Sequence, residues 1–172
     1  MRKSQNERKL IDGELTKEAE QLNKYLSQYK YCIARKTALE NRKSEIIKLF
    51  DYPISSVNLD GMPRGSSSAL GCAEISLKLD EINSIIKKQM ETASKTLYDT
   101  IKIISLLPEN SMERIIVENR YIDLYNWNRI CHQNHISRSP AIRRWKCGIY
   151  MLLEIEEVKQ ILNASELVGI SS

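Results

Sequence analysis

The 172-residue sequence has few of the residues that interrupt helices, with six glycines and four prolines. It contains no apolar run near the roughly 20 residues that a membrane-spanning helix needs. Scarce helix breakers, together with abundant Lys, Glu, Leu and Ile, predict an all-α fold. The N-terminus lacks the apolar core of a secretory signal, so we expect a cytoplasmic protein with no membrane partner.

Paired cysteines are also missing, because the four cysteines lie far apart and form no C-x-x-C motif. Cys131, His132 and His135 give only a weak metal signal, so we predict no metal site and no cofactor. The sequence shows no Ser-His-Asp or Cys-His set, and no Gly-Lys-Ser/Thr follows its glycine-containing loop. We therefore expect a protein that is not an enzyme.

The first 107 residues are predicted to contain two long helices, over residues 1–50 and 74–107, joined by a flexible linker over 51–73. The linker is rich in Gly, Pro and Ser. The first helix has a seven-residue apolar repeat, which is typical of a coiled coil or of an amphipathic helix packed within its own chain. The repeat comprises Leu15, Ala19, Leu22, Leu26, Tyr29 and Ile33.

The second long helix also carries a single apolar stripe, with steps of three or four residues from Ile75 to Ile104. Two narrow stripes without a third helix nearby predict a helical hairpin that pairs with further copies of the chain. We expect a homodimer or a higher homo-oligomer.

The third region, residues 108–162, is predicted to hold three short helices, followed by a polar tail over 163–172. The helices are expected over residues 109–121, over 127–132, and from Ser139 onwards, where Ser139 would cap the helix and Pro140 would occupy its first position. A buried stripe of the last helix is formed by Ala141, Trp145, Gly148 and Leu152. We expect Trp127 and Trp145 in the core, and Arg120 near a carboxylate such as Asp123.

The last helix carries clustered cations in a strongly basic segment, since residues 120–150 hold six Lys and Arg against one acidic residue. A short helix, a turn and a second helix with exposed cations form a helix-turn-helix, which binds double-stranded DNA in the major groove. The alternative is a solvated cationic face. The predicted DNA-binding residues are Ser137, Arg138, Ser139, Ile142, Arg143, Arg144 and Lys146. Ile142, Arg143 and Lys146 would face the groove, and the others would hold phosphates.

The same residues resemble a known family. The run from Arg120 through Trp127, Ile130 and Ser137 to Gly148 is similar to the region-four-type helix-turn-helix of sigma factors. It resembles more closely the phage and prophage regulators of the ArpU/RinA kind, and the motif GMPRG at residues 61–65 also fits that family. The resemblance covers residues 59–153 and departs from the sigma pattern at Pro140. It implies activation of late genes and contact with RNA polymerase.

Three functional hypotheses follow from these patterns. The first is a phage or prophage transcriptional regulator that binds DNA as an oligomer. The second is a DNA-packaging adaptor of the small-terminase type, which also joins a helix-turn-helix to oligomerising helices. The third is a helical protein-interaction module that does not bind DNA.

Overall fold

The computed structural model describes residues 14–51 and 67–167. Every regular element in these two ranges is an α-helix, which confirms the all-α fold. The GMPRG motif, most of the predicted linker and the end of the predicted tail lie outside the described residues. No described helix is long and apolar enough to cross a membrane.

The helices are numbered here in chain order. They are α1 (Lys17–Leu26), α2 (Gln28–Asp51), α3 (Ser67–Ile104), α4 (Met112–Tyr121), α5 (Trp127–Gln133), α6 (Arg138–Leu153) and α7 (Glu156–Leu167). The chain divides into two compact units. The first unit has residues 14–30 and 95–167 as its described part, and the second has residues 31–51 and 67–94.

The core of the first unit is built around α6, which packs against α1, α4, α5 and α7. All four residues of its predicted stripe are buried, from Ala141 to Leu152. The stripe is buried because apolar residues spaced by three and four lie on one side of an α-helix. The remaining core side chains include Ile103, Ile104, Ile116, Val117, Ile130, Ile149 and Val158.

The N-terminal helix belongs to this core as well. Ala19, Leu22 and Leu26 are fully buried in it, so the first part of the seven-residue repeat packs within the chain. The predicted single helix is also interrupted, because α1 ends at Leu26 and α2 begins at Gln28 after the turn residue Ser27. Thr16 begins α1 by accepting a hydrogen bond on its side chain from the Ala19 N–H at 3.3 Å.

The second unit contains most of α2 and the first part of α3. Ile75, Leu79, Ile82 and Ile86 follow one side of α3 and are half-buried. A side-chain hydrogen bond from Gln89 Nε2 to the Cys32 carbonyl, at 3.4 Å, joins the two helices within this unit. α3 begins at Ser67, seven residues earlier than the predicted start at residue 74, because the Gly and Ser content of residues 67–73 is also compatible with a helix.

Candidate nucleic-acid interface

Helix α4 is held in place by its first turn and by one arginine. Ser111 caps it, with Oγ accepting from the Arg114 N–H at 3.2 Å. Arg114 then pairs with Glu118 at 2.8 Å and donates to the Leu107 carbonyl at 3.2 Å. The helix begins three residues later than the predicted start at Glu109. Its first backbone N–H groups have no partner within the helix, and Ser111 supplies an acceptor for one of them.

The turn between α4 and α5 is fixed by backbone geometry and by Arg120. Leu124 adopts a left-handed conformation with φ 56°. Arg120 donates to the Tyr125 carbonyl at 3.2 Å, and its guanidinium lies 5.2 Å from the centre of the Trp127 ring. Arg120 thus contacts a carbonyl and an aromatic ring in place of the expected carboxylate of Asp123. The two contacts attach the last turn of α4 to the connecting turn and to the start of α5.

Helix α5 is short and is capped at both ends by asparagine. Asn126 Oδ1 accepts from the Arg129 N–H at 2.9 Å, and Asn134 Nδ2 donates to the Ile130 carbonyl at 2.9 Å. The next residue, His135, has φ 52°, which turns the chain towards α6. Histidine is one of the few residue types found repeatedly in this left-handed region.

The start of α6 differs from the prediction. Ser137 is the N-cap and Arg138 is the first helical residue, so Ser139 and Pro140 lie inside the first turn. Pro140 is tolerated there because the first backbone N–H groups of a helix have no partner within the helix. The sequence showed the right signal but assigned the cap to a serine two residues too late.

The buried side of α6 is joined to two other helices by a chain of hydrogen bonds. Trp145 Nε1 donates to the Tyr121 hydroxyl at 3.0 Å, and that hydroxyl donates to Asn23 Oδ1 at 2.7 Å. Trp145 lies in the core, and the half-buried Trp127 meets it edge to face with ring centres 5.9 Å apart. Burial raises the pKa of Tyr121 well above its ordinary value. No local pattern predicts the contact with Asn23, because 98 residues separate the partners.

The predicted DNA-binding residues lie at the start of α6 and outside its buried stripe. Ser137, Arg138, Ser139, Arg143 and Arg144 are exposed, and Lys146 is half-buried. Ile142 is also half-buried and packs against the core, so only part of its side chain faces outward as predicted. The structure therefore gathers the serines and most of the cations on solvent-facing positions of a single helix.

Arg144 has a defined partner on another helix. Its Nη1 lies 2.7 Å from Glu113 Oε1 of α4. The side chain of Glu113 is 13% exposed, whereas that of Arg144 is 55% exposed. The hydrogen bond to Glu113 and the charge of that carboxylate raise the pKa of the Arg144 guanidinium. No spacing rule would have found this pair, since its members are 31 residues apart.

Other kinds of site have little support in the described residues. No group of three or more His, Cys, Asp or Glu side chains within residues 14–51 and 67–167 could hold a metal ion. Over the same ranges, Cys32, Cys131 and Cys147 form no disulfide.

Comparison of the chain with protein-family models, with curated proteins and with solved structures finds no match in any of the three.

Proposed function

We propose that this protein binds double-stranded DNA through α5, the following turn and α6, and that it regulates transcription. The observation that supports this best is the group of cations on α6 outside its buried stripe, within a segment of six cations and one acidic residue. Lys and Arg favour DNA binding because they displace the counterions condensed on its phosphates. A single α-helix also fits the width of the major groove.

Five residues of α6 and its N-cap Ser137 have roles in this proposal. Arg143 and Lys146 face the bases, where arginine can donate two hydrogen bonds to a guanine. Arg138, Ser137 and Ser139 contact phosphates at the start of the helix and set its register on the duplex. The exposed part of the Ile142 side chain contacts the major groove.

The regulatory task rests on the resemblance to regulators of the ArpU/RinA kind. That resemblance implies a phage or prophage origin, activation of late genes, contact with RNA polymerase and action in the cytoplasm. The proposal also includes a second copy of the chain, bound through α2 and α3. The half-buried apolar side of α3 supports this part, because a stripe that one neighbouring helix leaves half exposed is suited to further packing.

The DNA-binding proposal predicts a specific loss in the variant Arg143→Ala/Lys146→Ala. We expect its affinity for duplex DNA to fall because contacts with the bases are lost, whereas Arg138→Ala should flatten the slope of log affinity against log salt by about 0.9 for its lost phosphate contact. Fluorescence anisotropy with a labelled duplex over a range of KCl concentrations measures both quantities.

A matched control removes the same charge elsewhere. Lys87 and Lys88 are exposed on α3 in the second unit, so Lys87→Ala/Lys88→Ala should keep both the affinity and the salt slope of the unmodified protein. The proposal fails if Arg143→Ala/Arg144→Ala/Lys146→Ala binds DNA undiminished, or if the unmodified protein shows no salt-dependent binding.

A further inference from the structure

Helices α4 and α6 lie close together at Gly148. A Cβ atom added to Gly148 would lie 2.9 Å from Val117 Cγ2 and 3.4 Å from the Glu113 carbonyl oxygen. Contacts below 3.0 Å force one of the two groups to move, so the observed spacing depends on the absence of a side chain at this position. The close approach brings the start of α4 against the middle of α6.

One turn before Gly148, the ion pair of Arg144 with Glu113 spans the same two helices. Residues four apart lie on the same side of a helix, so the pair and the glycine contact meet at one seam. Glu113 lies in the first turn of α4, where the helix dipole favours a negative charge. The glycine contact sets the distance between the helices, and the ion pair restricts the rotation and sliding of α6.

The carboxylate also changes what Arg144 can offer to DNA. At a separation of 2.7 Å, Glu113 offsets the positive charge of the guanidinium and occupies one of its donors. A paired arginine therefore displaces fewer counterions from a phosphate backbone than an unpaired one does.

From this geometry we infer that Arg144 is a positioning residue, which acts through Glu113 to hold α6 in the orientation that presents Arg143 and Lys146 to the bases. This inference rests on the proposed DNA binding and replaces the phosphate contact expected for Arg144 from the sequence. In the DNA complex, the Arg144 guanidinium remains bound to the Glu113 carboxylate of the same chain.

The test compares Arg144→Ala, the conservative Arg144→Lys, and the exchange Glu113→Arg/Arg144→Glu. Two labelled duplexes serve as probes: one selected by the unmodified protein from a random-sequence pool, and one unselected duplex of equal length. Affinities are measured by anisotropy over roughly 50–200 mM KCl. The temperature of the measurement is well below the midpoint of thermal unfolding of each variant.

We expect Arg144→Ala to lose about tenfold in affinity for the selected duplex, comparable to the loss of one base contact. Its affinity for the unselected duplex and its salt slope should stay unchanged, because no phosphate contact is lost. Arg144→Lys and the exchanged pair should recover most of the affinity, since both restore an ion pair between α4 and α6.

A matched control is Lys102→Ala, which breaks another exposed pair between helices, Lys102–Glu157 at 3.1 Å, and should leave DNA binding unchanged. A flatter salt slope, equal losses on both duplexes and a further loss in the exchanged pair would show a direct phosphate contact. Unchanged affinity with a lowered unfolding temperature would show a purely structural role. Either result overturns the inference alone, whereas an absence of binding by the unmodified protein overturns the proposed function itself.

Discussion

The Tyr121 hydroxyl is a polar group that connects α1, α4 and α6. It accepts a buried hydrogen bond from the Trp145 N–H and donates to the half-buried Asn23. Buried donors without partners are costly, so this hydroxyl helps to set where α6 lies against the rest of the first unit. The same burial that makes the contact valuable also makes ionisation of the tyrosine unfavourable.

The variant Tyr121→Phe should be destabilised by about 1–3 kcal/mol at neutral pH, because the Trp145 N–H loses its acceptor. It should also remove a dependence on pH. Burial raises the pKa of Tyr121 in the folded state. The contribution of the protonated Tyr121 hydroxyl to stability is therefore complete below the ordinary pKa of 10.0 and declines as the pH rises above it. There the unfolded chain loses the proton and the folded chain keeps it, which lowers the free energy of unfolding by up to about 1.4 kcal/mol per pH unit.

Denaturant unfolding between about pH 8 and pH 11 measures this difference, with the ordinary tyrosine pKa inside the range. Tyr98→Phe is the control, since Tyr98 is 70% exposed and should behave as the unmodified protein does. An equally steep decline in Tyr121→Phe would contradict the argument.

Among single residues, the sequence identified those whose role follows from helix periodicity. Ala141, Trp145 and Leu152 were found because a buried stripe repeats every three or four residues. The roles of Asn23, Glu113 and Arg120 were missed, because each depends on a partner or a local turn that only the folded chain creates. The left-handed conformation of Leu124 was equally hidden, since leucine rarely adopts it.

At the scale of elements, the seven-residue repeat in α1 predicts which residues share an apolar side but not what that side packs against. The seven-residue spacing correctly marked Ala19, Leu22 and Leu26 as one apolar side. It left open whether that side packs within the chain or against another chain, and the structure buries it against the C-terminal helices. The interruption at Ser27 has no proline or glycine to signal it, and the apolar spacing continues through it.

The variant Leu22→Ala should lower the free energy of unfolding by about 2–5 kcal/mol, as expected for a fully buried leucine that leaves a cavity. Because the contacts are within one chain, this loss should be the same at low and at high protein concentration. Thermal unfolding at two concentrations measures it. Leu77→Ala, at a side chain that is 70% exposed, should change stability by less than about 0.5 kcal/mol. A loss that grows with dilution would instead indicate a coil between chains.

For the molecule as a whole, amino-acid composition predicts the fold class but does not predict which helices pack together in one unit. Scarce glycine and proline were enough to predict helices throughout the described ranges. The predicted boundaries followed the chain, with residues 1–50 as one element, whereas the first unit combines residues 14–30 with 95–167. Local patterns cannot show this pairing, because any apolar stripe of suitable length could fill the same place.

The proposed pairing of two copies predicts a solution mass of twice that of one chain, measured by analytical ultracentrifugation. Ile86→Lys, which places a charge on the half-buried side of α3, should shift the mass to that of one chain. The control Ile85→Lys changes the neighbouring, exposed isoleucine and should leave the mass unchanged. A monomer for the unmodified protein would contradict the pairing, and a ring of eight or more subunits would indicate a packaging adaptor.

The placement of the two tryptophans has a practical consequence for spectroscopy. Trp127 and Trp145 are the only tryptophans in the chain, and both belong to the first unit, in edge-to-face contact. Intrinsic emission excited at the indole band therefore monitors that unit alone, while far-ultraviolet circular dichroism records helices from both. Melting curves recorded with the two signals would coincide if the units lose their structure together and would separate if one of them survives the other.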